Sequence, residues 1–508
     1  HQITYRYFEE LHACGGDRPR ASYETMRTMF IPNFSAVVTD AAGLFVLILA
    51  KVALMQFLAI IMTFWSLSII MTAFLVPAMC SLIPMKVSSE KWAKDSCQVD
   101  WLAGLLMKIT RFSIGPGTKY VTGALIVMLA VFCAWQTSHL KIGDSTPGSP
   151  ILWPEHPYNQ DQALIDRTFK ASSENLVLFY EGEEESIYDP AVLNTFEAFA
   201  RHMRNSLPDI YKSATYLGEM VKKVNLTFHD GDELWQELPR DQNLLMCFIG
   251  LIKSQFELNT LHRFVDRKLQ RAQITLFFSD HTSKNLIRIR DAAFGFFNDH
   301  SLKTGQGEFK LAGGRIGLEI GLNEEMKRAH AVIDLTVFSA IFILVSLSFR
   351  SVIAGLMLTL PLILANTVAG AYMSLSDIGL SVNTLPVAAI GAGVGVDFAI
   401  YLYSRCQEEF ANQSGDWMGT ITQSICTCGK AVVFTGLTII LPIITWYFFS
   451  DMKFQAQVGF FLAMIMGTNV ILTVTLHPLL LYIIKPDFIS KKNSLSPKTQ
   501  EIPMKLSA

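Results

Sequence analysis

The chain has 508 residues, of which 51% are apolar and 17% charged, with a formal net charge of −2. So apolar a composition exceeds what a water-soluble domain carries, and a bilayer is the expected solvent. The near-zero charge argues against a nucleic-acid partner, because neutralising many phosphates takes a concentrated surplus of Lys and Arg.

The opening residues His1 to Glu10 are aromatic and polar, with no apolar core. They do not read as a signal peptide, and the chain reads as starting internally. Apolar runs of roughly 18 residues or more, enough to cross about 30 Å of hydrocarbon as a helix, occur at 34–51, 55–83, 120–138, 330–349, 352–374, 382–403, 431–450 and 455–484. They predict a polytopic α-helical membrane protein with eight spans. Residues 1–33 then form the cytoplasmic end of a preceding span and a connector, and 34–85 two spans ending a first bundle. Residues 86–119 are a cytoplasmic linker, 120–138 a span, 139–329 a periplasmic domain, 330–484 five spans of a second bundle, and 485–508 a cytoplasmic tail.

Orientation follows from the basic residues of the short connections, which are retained in the cytoplasm. Arg6, Arg18, Arg20 and Arg27, the linker residues Lys86, Lys91, Lys94, Lys108, Arg111 and Lys119, then Arg350, Arg405, Lys430, Lys485, Lys491 and Lys492 share one side if the spans alternate. The other side has Lys51 and Lys453 in its short loops. Both ends are expected in the cytoplasm of a multi-pass protein of the cell inner (plasma) membrane. In the linker, residues 99–108 carry apolar side chains on one face, which suits either the headgroup layer or an ordinary connecting helix.

The outer segment alternates strand and helix patterns: strands at Asn175–Tyr180 and Gln273–Phe278, helices near 190–206 and 284–299. That order predicts an α+β domain of ferredoxin-like type, interrupted by an insertion between 229 and 270. Seven of the eight cysteines fall in apolar runs or their flanks and only Cys247 lies in the polar stretch, so no disulfide framework is expected there. Cys426-x-Cys428 lacks the second pair that a zinc site needs.

Two parts of the chain echo each other. Arg6-x-x-Glu9-Glu10 recurs as Arg405-x-x-Glu408-Glu409, Ala36-Val-Val as Ala431-Val-Val, and a proline late in the next span as Pro77 and Pro478. Transporters are commonly built from such duplicated bundles with a site between them. In this register Thr435 is equivalent to Asp40, and Asp397 would match a position about two residues before His1.

The sixth span holds Gly391-Ala-Gly393-Val-Gly395-Val-Asp397-Phe398. An ionised carboxylate at the centre of a span costs about 2.5–3.5 kcal/mol on insertion scales, so an intramembrane Asp is a functional candidate, here a proton carrier. Gly391, Gly393 and Gly395 let a neighbouring helix approach and shield it. Thr435 in the seventh span is the best placed polar partner. Asp40 reads either as a second coupling carboxyl or as a residue solvated near the interface. Tyr401, one turn after Asp397, reads as a nearby hydrogen-bonding group or as packing. Asn366, Thr367 and Asn469 read as ties between helices, and Asp334 as interfacial. No loop of phosphate-cradling glycines with an adjacent Lys and Ser/Thr is present, so no nucleotide and no other cofactor is expected.

Three stretches carry a family resemblance: Gly393-x-x-x-Asp397-Phe398, Leu380-Ser-Val-Asn-Thr-Leu-Pro386, and Gly143-Asp-Ser-Thr-Pro-Gly-Ser-Pro-Ile-Leu-Trp153-Pro. Here the chain resembles resistance-nodulation-division (RND) exporters of the hydrophobe/amphiphile branch, close to the mycobacterial membrane protein large (MMPL) group. The resemblance implies twelve spans in two bundles, two porter domains, and proton entry through aspartates on the fourth and tenth spans. This chain would supply spans five to twelve and the second porter domain, with Asp397 as the tenth-span carrier and Thr435 on the eleventh. The family often has Tyr after the Asp, whereas Phe398 donates no hydrogen bond. The expected function is proton-driven export of hydrophobic or amphiphilic, lipid-like molecules. Expected partners are membrane lipids, that small-molecule substrate and the amino-terminal half of the same protein, with a homo-oligomer as a candidate assembly. The alternative is a sterol- or lipid-sensing receptor of Patched-like type without net transport. A passive channel lacks its ring of like charges. An enzyme is disfavoured because His156, His229, His262, His281 and His300 are scattered without ligand spacing.

Overall fold

The computed structural model describes residues 2–82, 101–144, 146–255, 261–304, 306–413 and 415–490. The linker lysines Lys86, Lys91 and Lys94 and the tail residues Lys491 and Lys492 lie outside them. Among the described residues, eight helices are long and apolar enough to cross a membrane, as the hydropathy pattern predicts. Two units are distinct: His1–Leu140 with Lys327–Ala508, and Lys141–Met326.

The first unit opens with α1 (Gln2–Ala13) and α2 (Arg18–Phe45). Asp17 caps α2 by accepting from the Arg20 amide, with Pro19 in the first turn where a missing N–H costs nothing. Helices α3 (Ala53–Ser68), α4 (Ile70–Leu82), α5 (Trp101–Ile114) and α6 (Thr118–Thr137) follow. Helix α12 (Gly314–Phe349) begins in the second unit and ends in the first, where α13 (Val352–Leu375), α14 (Leu385–Asn412), α15 (Trp417–Ser424), α16 (Lys430–Phe449), α17 (Lys453–Ile484) and α18 (Asp487–Ser490) follow. Several helices begin well before their apolar windows, because backbone hydrogen bonding continues beyond hydrocarbon while hydropathy marks only the lipid-embedded part. The span expected at 34–51 belongs to a helical stretch that starts at Arg18, and the one at 431–450 to a stretch that starts at Trp417.

Helix α5 covers most of the amphipathic linker segment. It docks on α17 through Thr110 Oγ1 to the Val474 carbonyl at 3.3 Å and Ser113 Oγ to Thr475 O at 2.8 Å. Trp101, Leu105 and Phe112 remain exposed on its other side.

The second unit runs α7 (Pro157–Thr168), β1 (Asn175–Gly182), α8 (Pro190–Ser206), β2 (Tyr211–Thr215), α9 (Leu217–Phe228), α10 (Gln242–Gln255), β3 (Arg271–Phe278), α11 (Ser283–Asp299), β4 (Lys303–Thr304) and β5 (Gly307–Gly313). The sheet order is β2-β3-β1-β5-β4, antiparallel throughout. Without the short β4 this is the ferredoxin-like arrangement that the sequence predicts, with α9 and α10 inserted between β2 and β3. The period-two apolar side chains Ala272, Ile274, Leu276 and Phe278 of β3 are buried, as are Val192, Phe196, Phe199 and Met203 of α8 at helical spacing. Gly314, at φ +79°, turns the chain out of β5, and a Cβ there would strike the Asn175 carbonyl.

One buried ionic group holds β1 to the start of α12. Glu174, 2% exposed, accepts from Arg315 Nη1 at 2.8 Å and lies 3.0 Å from His281 Nδ1. Burial alone pushes its carboxyl up, but the neighbouring His281 and Arg315 outweigh that, and its pKa lies below the ordinary value. A depressed carboxyl contributes stability that is present above its unfolded value near 4.3 and is lost as pH falls through the folded one. Glu174→Ala is therefore expected to destabilise this unit at pH 7 by about 3 kcal/mol. Urea midpoints read by pulse proteolysis should show that gap shrinking as the pH is lowered below 4.

Candidate functional site

The site is built where α2 and α14 touch backbone to backbone. A Cβ placed on Gly393 of α14 would sit 3.2 Å from Asp40 Cα, and one on Gly43 would sit 3.3 Å from the Ala389 carbonyl and 3.5 Å from Gly393 Cα. Small residues permit such approach in a bilayer, where packing rather than hydrophobicity holds helices together. The three glycines divide their work. Gly393 faces α2 at Asp40, whereas Gly391 faces Ile465 and Gly395 faces Asn469, both on α17.

This packing brings Asp40 and Asp397 to the wall of one cavity of about 240 Å³. Thr435, Tyr401, Asn33 and Phe398 line it as well, and no Lys or Arg is among its lining residues. One carboxylate oxygen of each acid, Asp40 Oδ1 and Asp397 Oδ1, is buried with no hydrogen-bond partner among the described residues. Burying an ionised carboxylate unpaired is costly, while the protonated acid is far cheaper to hold. The arrangement is thus suited to groups that gain and lose a proton in place.

The structure brings Asp397 together with the three polar residues expected to act beside it, Thr435, Asp40 and Tyr401. Thr435 lines the cavity, but its hydroxyl donates to the Ala431 carbonyl of its own helix at 2.7 Å rather than to Asp397. Asp40 shares the cavity with Asp397. The Tyr401 hydroxyl donates across the interface to Asn33 Oδ1. Asn33 and Gly43 are functional candidates that hydropathy and motif reading passes over. Their signal is spacing, since Asn33, Ala36, Asp40 and Gly43 recur at three- and four-residue intervals and so share one face of α2.

Of the residues expected to tie helices, Asn366 Nδ2 donates to Ala388 O at 3.2 Å, joining α13 to α14. The Thr367 carbonyl accepts from Thr137 of α6 at 3.0 Å. Asn469 packs against Gly395. Asp334 lies 3.5 Å from His330 on α12. A buried pair absent from the sequence reading is Tyr403 with His477 Nδ1, 2.9 Å apart.

The internal echo has a direct structural meaning. Arg6 of α1 pairs with Glu9 and Glu10 of its own helix at 3.0 and 2.8 Å, and Arg405 of α14 with Glu408 and Glu409 at 3.1 and 3.0 Å. The two copies also exchange partners: Arg6 reaches Glu408 at 3.2 Å and Arg405 reaches Glu9 at 3.1 Å. Equivalent residues of the duplicated motif thus close a reciprocal network between α1 and α14.

Residues 312–500 match the MMPL family. The chain is 28% identical over 211 residues to the membrane protein YdfJ of Bacillus subtilis, and 25% identical over 162 residues to a membrane protein of Methanocaldococcus jannaschii. These alignments take in 38% and 32% of this chain, and 28% and 41% of the respective relatives. The fold is similar to that of the hedgehog release protein Disp from the water bear Hypsibius dujardini, with a TM-score of 0.60 at 14% identity over 95% of this chain and 62% of that one. It is similar also to SecDF, a translocon-associated membrane protein from a Thermus species, with a TM-score of 0.51 at 13% identity over 95% of this chain and 52% of that one.

Proposed function

As its residues 312–500 are MMPL-family sequence on an RND-like fold, we propose that the protein is a secondary active transporter, driven by the proton gradient, that exports hydrophobic or amphiphilic, lipid-like molecules. The observation that carries this reading is the pair of acids, Asp40 and Asp397, lining one intramembrane cavity without a cationic neighbour on its wall. A fixed cation would hold a carboxylate ionised at all times; without one, the charge state follows proton supply. The water-bear protein of this fold is named for release, in keeping with outward movement of cargo.

The Arg6 and Arg405 end of the helical unit faces the cytoplasm on this reading, and residues 141–326 lie outside, consistent with the many basic residues at that end. One proton crossing about 100 mV releases roughly 2.3 kcal/mol, enough to shift a two-state bundle movement about fiftyfold. The test is direct. In proteoliposomes holding the full-length protein, efflux of a fluorescent amphiphile should stop when a protonophore collapses the gradient, and efflux that continues unchanged would refute proton coupling.

A further inference from the structure

Tyr401 belongs to two cavities at once. It lines the cavity of Asp40 and Asp397, and it also closes a smaller one of about 50 Å³ whose walls include Arg6, Glu9, Arg405 and Glu408. Its hydroxyl is tied to Asn33 Oδ1 on α2, and Asn33 is buried. A hydrogen-bonded side-chain pair therefore stands between a charged vestibule and the acids.

Two further features meet at the same place. Pro32, next to Asn33, lines the vestibule; lacking an N–H, it leaves the carbonyl of Thr28, one turn earlier, without its helical donor. Opposite it, the helix from Trp417 to Phe449 is interrupted by a π-helical turn at Ile425–Gly429, whose Thr427 and Cys428 line the vestibule. Proline kinks and π-turns are the places where a helix bends, and π-turns gather at functional sites. Both walls of the vestibule thus carry a built-in weak point. The vestibule's wall is polar and charge-balanced, with Glu9 and Glu408 set against Arg6 and Arg405, so it suits water.

We propose that Tyr401 and Asn33 form the gate between this vestibule and the acid cavity. The idea rests on the proton-coupling reading above and deepens it by naming where access from the vestibule side is opened and shut. With the bond made, the path is closed. Tyr401 has given its one hydroxyl hydrogen to an amide oxygen, and a neutral amide has no readily transferable proton to pass on. When Pro32 and the π-turn flex, the hydroxyl leaves Asn33 and water joins the two cavities. A proton then moves between the Asp397 carboxyl and vestibule water, with no covalent bond changed other than O–H. Tyr401 is a positioning residue in this scheme, acting through the water path and not as an obligatory carrier.

The experiment reads access, not transport. In the full-length protein with its native cysteines replaced, Val394→Cys places a thiol on the acid-cavity wall, and methanethiosulfonate ethylammonium is applied from the vestibule side in inside-out vesicles. Tyr401→Phe keeps the ring and removes the bond, so labelling should accelerate about tenfold, the factor set by losing one buried hydrogen bond. Asn33→Leu removes the acceptor instead and should give the same acceleration, which keeps the test available if either variant accumulates poorly. Unchanged or slower labelling in both variants overturns the gate. Because labelling needs no gradient, a gate result stands apart from proton coupling. A protein whose efflux ignores a protonophore yet labels faster in Tyr401→Phe has the gate without the coupling, and one that needs the gradient but labels at the wild-type rate has coupling without this gate.

Discussion

Asp397→Asn in the full-length protein lowers the steady-state ratio of exported to retained substrate about fiftyfold, the factor that one proton moved through 100 mV sustains, while abundance in the membrane stays at the wild-type level. Asparagine has almost the same shape as aspartate, so the Gly393–Asp40 contact and the cavity wall persist. It also relieves the proximity of two acids in one cavity, which removes a source of like-charge repulsion and leaves no reason for the fold to weaken. What it cannot do is exchange a proton. Asp40→Asn isolates the second acid: a similar loss assigns both carboxyls to the coupling step, whereas wild-type export leaves it to Asp397 alone. The measurement is amphiphile efflux in proteoliposomes normalised to protein content. Export by Asp397→Asn within twofold of wild type would end the proposal that this carboxyl couples transport to protons.

The spans and the α+β unit were legible because both follow from periodicity. Twenty apolar residues admit one structure in a bilayer, and alternation in β3 or the three-and-four spacing of α8 reports which face meets a core. Strands β2 and β5 went unread for the opposite reason. Tyr211-Lys-Ser-Ala-Thr215 alternates weakly, and in Gly307-Glu-Phe-Lys-Leu-Ala-Gly313 the alternation spans only Glu308 to Leu311, so pairing with β3 and β1 rather than local preference makes them strands.

In the membrane, Asp397 was legible because a carboxyl in an apolar run is costly on its own terms. The partners of Tyr401 and of the duplicated arginines were not, since they depend on which helices touch. Asn33 is an unremarked amide until α2 is laid against α14. The Arg-x-x-Glu-Glu echo reads as ancestry until its two copies are seen exchanging charges. Repeats report that two segments are alike, and only packing reports that they meet.

The closeness of α2 and α14 yields the other large effect. Gly393→Leu should abolish export and lower the unfolding temperature of the detergent-solubilised protein by several degrees, since the first added carbon already lies 3.2 Å from the Asp40 backbone and 3.5 Å from its carbonyl. Three more carbons have nowhere to go without driving the helices apart, an overpacking cost of about 1–3 kcal/mol. The bilayer supplies no hydrophobic force to press the helices back together. Separation of α2 from α14 also pulls Asp40 from Asp397 and Asn33 from Tyr401, so function fails before the fold does. Gly393→Ala adds only the first carbon and should fall between, with reduced export and a small loss of stability. Gly250→Ala, on α10 of the other unit, where a Cβ meets nothing within 4 Å, serves as the control and should be neutral or slightly stabilising. Wild-type stability and export in Gly393→Leu would mean that the two helices do not need this contact, and the shared acid cavity would lose its structural basis.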